Sequence, residues 1–430
     1  MRIFKQAVDK RSILGAGAIM LAALFWSLDG TFIRPKFYTL PAGLVVFLEH
    51  ILGFIFLSPF IILGWSKIKL LRKKDWGAIF WVCLFGGFLG TLMITKAFFA
   101  AIDGEVTFAT VVILQKLQPI FALVMARLIL GEKLNRQFYI WATIAIVAAY
   151  FLAFAKTGLH FSEINIFHHA ALFAIIAAFA FGSSTVFGKR IVNHLDFKST
   201  TALRFGITSF LVLIFISFSK DLFKFSEISG LQWKFLFIII FTSGAMAMFI
   251  YYFGLKRITA STATICELFW PFSAVALDYF INKNILNSIQ IIASIILLIA
   301  FYQVISKGKI KSFVFTTKAI DGVGRGRRIG LPTINLDKVD LDMDYGVYLV
   351  EASINSKKYK GLLHFGPKAT FSEAPSLELF IKELVSDISN KNIKIKTIKK
   401  IREIKKFASS EDLKKQVNKD LKIIGSTHLN

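Results

Sequence analysis

Cysteine is nearly absent: Cys83 and Cys266 are the only two in 430 residues. That excludes a disulfide framework, and no cysteine spacing suits a metal. Both lie in apolar runs and are expected to be small core residues. Acidic residues are scarce too, 27 against 52 lysines and arginines, for a formal net charge of +25. The last 124 residues carry +11 of this and the preceding part +14. The excess suits anionic lipid headgroups and an anionic substrate for the tail rather than a nucleic acid, so no nucleic-acid partner is expected. The basic start, with Arg2, Lys5, Lys10 and Arg11, leads into an apolar run that lacks a small-residue cleavage site. It reads as a retained span and not as a removed signal peptide.

What is abundant is apolar sequence. Hydrophobic residues make up 55% of the chain and mean hydropathy is +0.61, above the usual soluble composition. Runs of about 20 apolar residues recur between residues 13 and 306, each long enough to cross a bilayer. Ten spans are expected, near 13–33, 40–64, 76–101, 107–130, 137–155, 166–188, 200–219, 233–255, 260–281 and 288–306. Sixteen loop or terminal Lys and Arg fall on one side and seven, Arg34 among them, on the other. The richer side is expected to be cytoplasmic, with both termini there, in an inner membrane.

The spans repeat. Leu114-Gln115-Lys116-Leu117-Gln118-Pro119-Ile120 aligns, within one residue, with Cys266-Glu267-Leu268-Phe269-Trp270-Pro271-Phe272. Leu134-Asn135 then falls over Leu286-Asn287. Five spans per half is an odd number, so the halves are inverted, as in alternating-access carriers with a midplane site. Asp29, Glu49, Lys96, Lys116 and Glu267 are ionisable residues in apolar context. At mid-bilayer such groups face a cavity or a partner. They are candidates for the pathway, with Lys116 and Glu267 as neighbours across the interface. A structural ion pair is the alternative. Trp270 either stacks on a flat ligand or packs.

These features resemble EamA-type carriers of the drug/metabolite transporter superfamily, down to Gly131-Glu132-Lys133-Leu134 after the fourth span. The resemblance covers residues 13–306 and implies an all-α ten-helix fold. It leaves the substrate open.

The texture changes near Ser306. A basic linker, residues 307–312, precedes a domain over 313–430. Short alternating runs at Phe313–Ala319, Gly346–Ile354, Lys358–His364, Ser376–Lys382 and Ile393–Ile398 predict a small antiparallel β-barrel. A helix is expected from Ser409 to Ile423, with Ser409 or Ser410 as its N-cap. Gly324, Gly326 and Gly330 allow backbone N–H groups close to phosphate oxygens. Thr333 and Asn335 supply neutral oxygens suited to Mg²⁺ and, two apart in an extended segment, share a face.

Residues 313–421 resemble the riboflavin kinase domain of flavokinases. The match lies in Gly324-Arg325-Gly326-Arg327, Pro332-Thr333-Ile334-Asn335, Gly346-Val347-Tyr348, Ser376-Leu377-Glu378-Leu379 and Ser410-Glu411-Asp412-Leu413. The resemblance implies transfer of a phosphoryl group from Mg-ATP to riboflavin. Glu378 is then the catalytic base. Gly324, Arg325, Gly326, Arg327, Gly330 and Thr333 hold phosphate, and Thr333 and Asn335 hold Mg²⁺. Arg402 and Phe407 lie beside the flavin. Phe380 stands where the family usually has His, and Ala369 where it has Pro. There is no His-x-Gly-His adenylyltransferase motif, so FMN is the expected product. The joint expectation is riboflavin uptake with trapping as FMN, which cannot recross hydrocarbon. The alternatives are a carrier for another metabolite with a flavin-sensing tail, and two independent activities. Assembly is open, a homodimer being one option.

Overall fold

A computed structural model describes residues 10–105, 107–132, 134–154, 169–219, 221–308, 313–320, 333–337, 341, 343–355, 357–367, 375–381, 391–405, 407 and 409–425. The chain divides into two compact units, Met1–Lys309 and Ile310–Asn430.

The first unit is helical. Among the described residues, nine helices are long and apolar enough to cross a membrane. A tenth span is the pair Ala42–Leu57 and Pro59–Ile68, bent by 75°. The bend falls at Ser58-Pro59, where proline supplies no N–H to continue the ladder. Both cysteines are fully buried. Close backbone approach helps the spans pack: a Cβ on Gly254 would lie 2.6 Å from the Gly15 carbonyl oxygen, so only glycine fits there.

Several spans are irregular, and the irregularities have local causes. The first, Lys10–Phe37, passes into a π-helical turn at Asp29–Ile33 and then a 3₁₀ turn at Arg34–Phe37. Pro35 sits at the start of the latter. The fourth and ninth spans break at matching places. Phe108–Gln115 stops and Gln118–Ile129 restarts; Ala260–Cys266 stops and Phe269–Asn282 restarts. Pro119 and Pro271 lie in the first turn of the restarted helices, where the missing N–H costs nothing. Helices broken at corresponding positions of two inverted halves are where such carriers place their sites.

Arg34 differs from its sequence reading as a loop cation. It lies within the first span and is 6% exposed. The 3₁₀ turn carries it inward to two carboxylates.

The second unit is a closed antiparallel barrel with strand order β1-β2-β5-β4-β3-β6. The strands are β1 Val314–Ile320, β2 Ile334–Leu336, β3 Gly346–Ile354, β4 Lys357–Pro367, β5 Pro375–Phe380 and β6 Asn392–Arg402. Phe315, Ala319, Leu363, Phe365, Leu377, Leu379, Ile393 and Ile395 fill its core. Alternation in β5 sends Leu377 and Leu379 inward and Ser376 and Glu378 outward. A helix, Ser410–Gly425, closes the chain. Ser409 is its cap, its hydroxyl accepting the Asp412 N–H at 3.1 Å. Val417 and Leu421, one turn apart, pack on Phe380, Val347 and Leu362. Phe380 is therefore a seat for this helix, which accounts for an aromatic at that position.

Candidate functional site

The helical unit encloses a cavity of about 180 Å³. Asp29, Glu49, Lys116, Glu267 and Trp270, five of the six pathway candidates, line it. Lys96 does not; its ammonium lies 5.7 Å from the centre of the Phe173 ring. Asp29, Lys116 and Glu267 sit at helix breaks, whereas Glu49 reaches the cavity from within the regular helix Ala42–Leu57.

Two polar groups face the cavity. In the first, Arg34 bridges two acids. Its Nη2 lies 2.5 Å and its Nε 3.1 Å from Asp29 Oδ2, and its Nη1 lies 3.0 Å from Glu49 Oε2. In low-dielectric surroundings the guanidinium fork is what makes two buried acids tolerable. In the second, Glu267 accepts from Gln118 Nε2, from Tyr251 Oη at 2.9 Å and from Thr185 Oγ1 at 3.4 Å. Gln115 Nε2 in turn donates to Gln118 Oε1 at 2.8 Å.

The expected Lys116–Glu267 pair is only partly realised. Both line the cavity, but no contact-distance ion pair joins them among the described residues. The Lys116 ammonium sits 4.6 Å from the centre of the Trp270 ring instead. Gln115, Gln118, Tyr251 and Arg34 escaped the sequence reading. Neutral amides were not counted as pathway groups, although Gln115 and Gln118 flank Lys116 in the repeated motif.

In the barrel, Glu378 on β5 lies opposite Asn335 on β2 and opposite His364 on β4. Thr333 Oγ1 donates to Glu378 Oε2 at 3.2 Å, and Ser376 Oγ to Oε1 at 3.4 Å. Thr333, Asn335, Ser376 and Glu378 thus gather on one outer face. The side chain of Asn335 makes no hydrogen bond among the described residues. Asp337 fastens the end of β2 to β1, accepting the Lys318 N–H and the Thr317 hydroxyl, each at 2.8 Å. Those two bonds hold its carboxyl below the usual range. A base within reach of a hydroxyl, beside two neutral oxygen ligands, suits phosphoryl transfer to an alcohol with a hard cation present.

Gly324, Arg325, Gly326, Arg327, Gly330 and Ala369 lie outside the described residues. Arg402 and Phe407 meet each other, the guanidinium 5.7 Å from the ring centre. Arg402 also pairs with Asp420 of the terminal helix at 2.7 Å, which gives it a structural anchor.

Residues 310–427 match the model of the riboflavin kinase family, described as Flavokinase. Residues 13–154 and 168–306 match the EamA-like transporter family. Over 295 residues, 68% of this chain, there is 40% identity to 97% of the riboflavin transporter ImpX of Fusobacterium nucleatum. Over 110 residues, 24% of this chain, there is 37% identity to 34% of a bifunctional riboflavin kinase/FMN adenylyltransferase of Bacillus subtilis. That relative is therefore spanned over only about a third of its length. A solved structure titled "Crystal structure of protein" superimposes with TM-score 0.54 at 16% identity, covering 69% of this chain and 96% of its own, a likeness of fold. With ten spans in two halves broken at matching prolines, and a closed barrel carrying the Thr333–Glu378 face, the chain belongs to the EamA-like transporter family and bears a C-terminal flavokinase domain.

Proposed function

We propose that this protein takes riboflavin across the cytoplasmic membrane and phosphorylates it to FMN on arrival. The observation that carries the reading is the joining of its two similarities in one chain. Its carrier part is 40% identical to a named riboflavin transporter, and its tail matches the riboflavin kinase family. The lysine and arginine asymmetry supports an orientation with both termini cytoplasmic, where ATP is available.

In the tail, Glu378 is the general base. As the terminal ribityl oxygen attacks the γ-phosphorus of ATP, Glu378 takes the proton of that hydroxyl and ADP leaves. Thr333 and Asn335 fit the role of Mg²⁺ ligands: they offer neutral oxygens on one face, and among the described residues the Asn335 carboxamide is not spent on another bond. Mg²⁺ brought with ATP supplies charge neutralisation on the phosphates. Gly324, Arg325, Gly326, Arg327 and Gly330 are assigned to the phosphates themselves. The product carries close to two negative charges at neutral pH and does not recross hydrocarbon, so the kinase keeps the gradient of free flavin inward.

The test uses the full chain in proteoliposomes. With Mg-ATP inside, external riboflavin should appear inside as FMN and exceed the external flavin concentration. Without ATP, internal riboflavin should stop at the external concentration. FMN formation only after the vesicles are lysed would overturn the coupling.

A further inference from the structure

Of the two polar groups that face the carrier cavity, the one around Glu267 forms a wall whose hydrogen-bonding capacity is partly spent and partly open. Glu267, as a carboxylate, is acceptor-only. It takes the nitrogen end of Gln118, which leaves Gln118 Oε1 to receive Gln115 Nε2. The relay therefore orients both amides, and Gln115 Oε1 is left as an acceptor with no partner among the described residues. Next to it in sequence, the Lys116 ammonium makes no hydrogen bond among the described residues and carries three donors. Both side chains line the cavity. Trp270 lies under the ammonium, and Trp26, Phe98 and Tyr251 line the same space.

Among the described residues, the guanidinium cations lining the cavity are already tied to protein partners, only the Arg204 Nε being left over. Arg34 is held by Asp29 and Glu49. Arg204 donates to Tyr252 Oη at 3.1 Å and to the Gly86 carbonyl at 2.9 Å. The wall thus presents one open acceptor beside one open cationic donor, with aromatic rings nearby. Its complement is a flat, uncharged heterocycle that carries an N–H next to a carbonyl.

We propose that Gln115 Oε1 and the Lys116 ammonium read that edge of the ligand, Gln115 taking the N–H and Lys116 the adjacent carbonyl. Taken with the riboflavin reading above, on which this rests, the edge is the imide of the isoalloxazine ring, with Trp270 beside the ring. A site that hydrogen-bonds an N–H rejects an analogue lacking it far more strongly than an apolar pocket rejects an extra methyl. Recognition thereby falls to two consecutive residues at the break of the fourth span. Their counterparts across the repeat, Glu267 and Leu268, serve as a brace and as packing.

The test is the initial rate of riboflavin uptake by the full chain in nucleotide-free proteoliposomes, competed by N3-methylriboflavin. The expected result is at least tenfold weaker competition by the methylated flavin than by unlabelled riboflavin. Gln115→Ala and Lys116→Met should each raise the half-saturating riboflavin concentration about tenfold. Gln115→Ala should also shrink the discrimination against the methylated flavin, and Lys116→Arg should restore part of the affinity that Lys116→Met loses. Monodispersity in detergent checks that each variant is folded. A variant that fails it is replaced by Gln115→Glu or Lys116→Gln, which are read on the same discrimination. Equal competition by the two flavins, or unchanged discrimination in Gln115→Ala, overturns the assignment while leaving riboflavin transport standing. Absence of riboflavin uptake by the parent chain overturns the transport reading and this assignment with it.

Discussion

Glu132, in the connection after the fourth span, caps Ser261 at the start of the ninth. Its Oε2 accepts the Ser261 N–H at 3.0 Å and the Ser261 hydroxyl at 2.5 Å, while Oε1 accepts the Ala260 N–H at 2.8 Å. The acid of the Gly-Glu-Lys-Leu motif thereby ties one half of the carrier to the other. Lys67, 3.2 Å from Asp196, and Asp75, 2.9 Å from His194, also join the two halves.

Removing the Glu132 carboxylate orphans two buried N–H groups and a hydroxyl. Each unsatisfied buried group costs about 1–3 kcal/mol, with partial relief where water enters. Glu132→Ala should therefore lower stability by roughly 2–4 kcal/mol, read as a drop in the thermal midpoint in detergent. Burial pushes the Glu132 carboxyl up, against the pull of the Ser261 hydroxyl and the two N–H groups. A folded pKa above the unfolded one means a contribution fully present below the usual glutamate value of about 4.3 and lost as pH rises through the folded value. The gap between the parent and Glu132→Gln should accordingly narrow from pH 4.5 to pH 7.5. A gap that widens over that window contradicts this account.

Glu378→Gln should abolish most FMN formation, a loss of about 10²–10⁴-fold if the residue is the base. The barrel should stay folded, because the side chain points away from the core and Gln can still accept from Thr333. Thr333→Ala and Asn335→Ala should instead raise the Mg²⁺ concentration needed for half-maximal rate. FMN production by the full chain, titrated with Mg²⁺ at fixed ATP, separates the two effects. A Glu378→Gln chain as active as the parent removes the base from this position.

The reach of the sequence differed between elements for physical reasons. The ten spans were legible because length and hydropathy alone decide whether a helix crosses a bilayer. Strand β2 was not among the expected strands, since three residues carry no measurable alternation; Thr333-Ile334-Asn335 was legible as a motif in an extended segment, without its pairing. The closeness of Glu378 and Asn335 depends on β2 pairing with β5 across some forty residues, which spacing cannot reveal. Arg34 looked like a loop cation because Pro35 breaks the helical pattern, and only the 3₁₀ turn brings it to Asp29 and Glu49. Lys96 has the same apolar context as Lys116 but lies over Phe173, away from the cavity.

Phe380 can be tested as a packing residue. It is 9% exposed and holds Val417 and Leu421 of the terminal helix against the barrel. Phe380→Ala should cost about 3–5 kcal/mol and release the helix, seen as early proteolysis between the barrel and the C-terminus. Phe380→Leu keeps most of the buried apolar area and should cost less than half as much. Equal sensitivity of the two variants would mean that shape rather than burial seats the helix.

Arg34 gives the sharpest prediction for the carrier. Its guanidinium serves two carboxylates from different spans at once, through Nε and Nη2 on Asp29 and Nη1 on Glu49. Lysine is a single compact charge and cannot occupy that fork. Arg34→Lys should therefore keep the formal charge yet lose most riboflavin uptake. Arg34→Ala leaves two buried acids uncompensated and should also destabilise the fold, by about 3–5 kcal/mol. Because the acids then repel each other, adding Glu49→Gln to Arg34→Ala should recover stability that Arg34→Ala alone has lost. The coupling is measured as a double-mutant cycle in thermal stability. Strict additivity of the two substitutions would show that Arg34 and Glu49 act independently, contrary to their 3.0 Å contact.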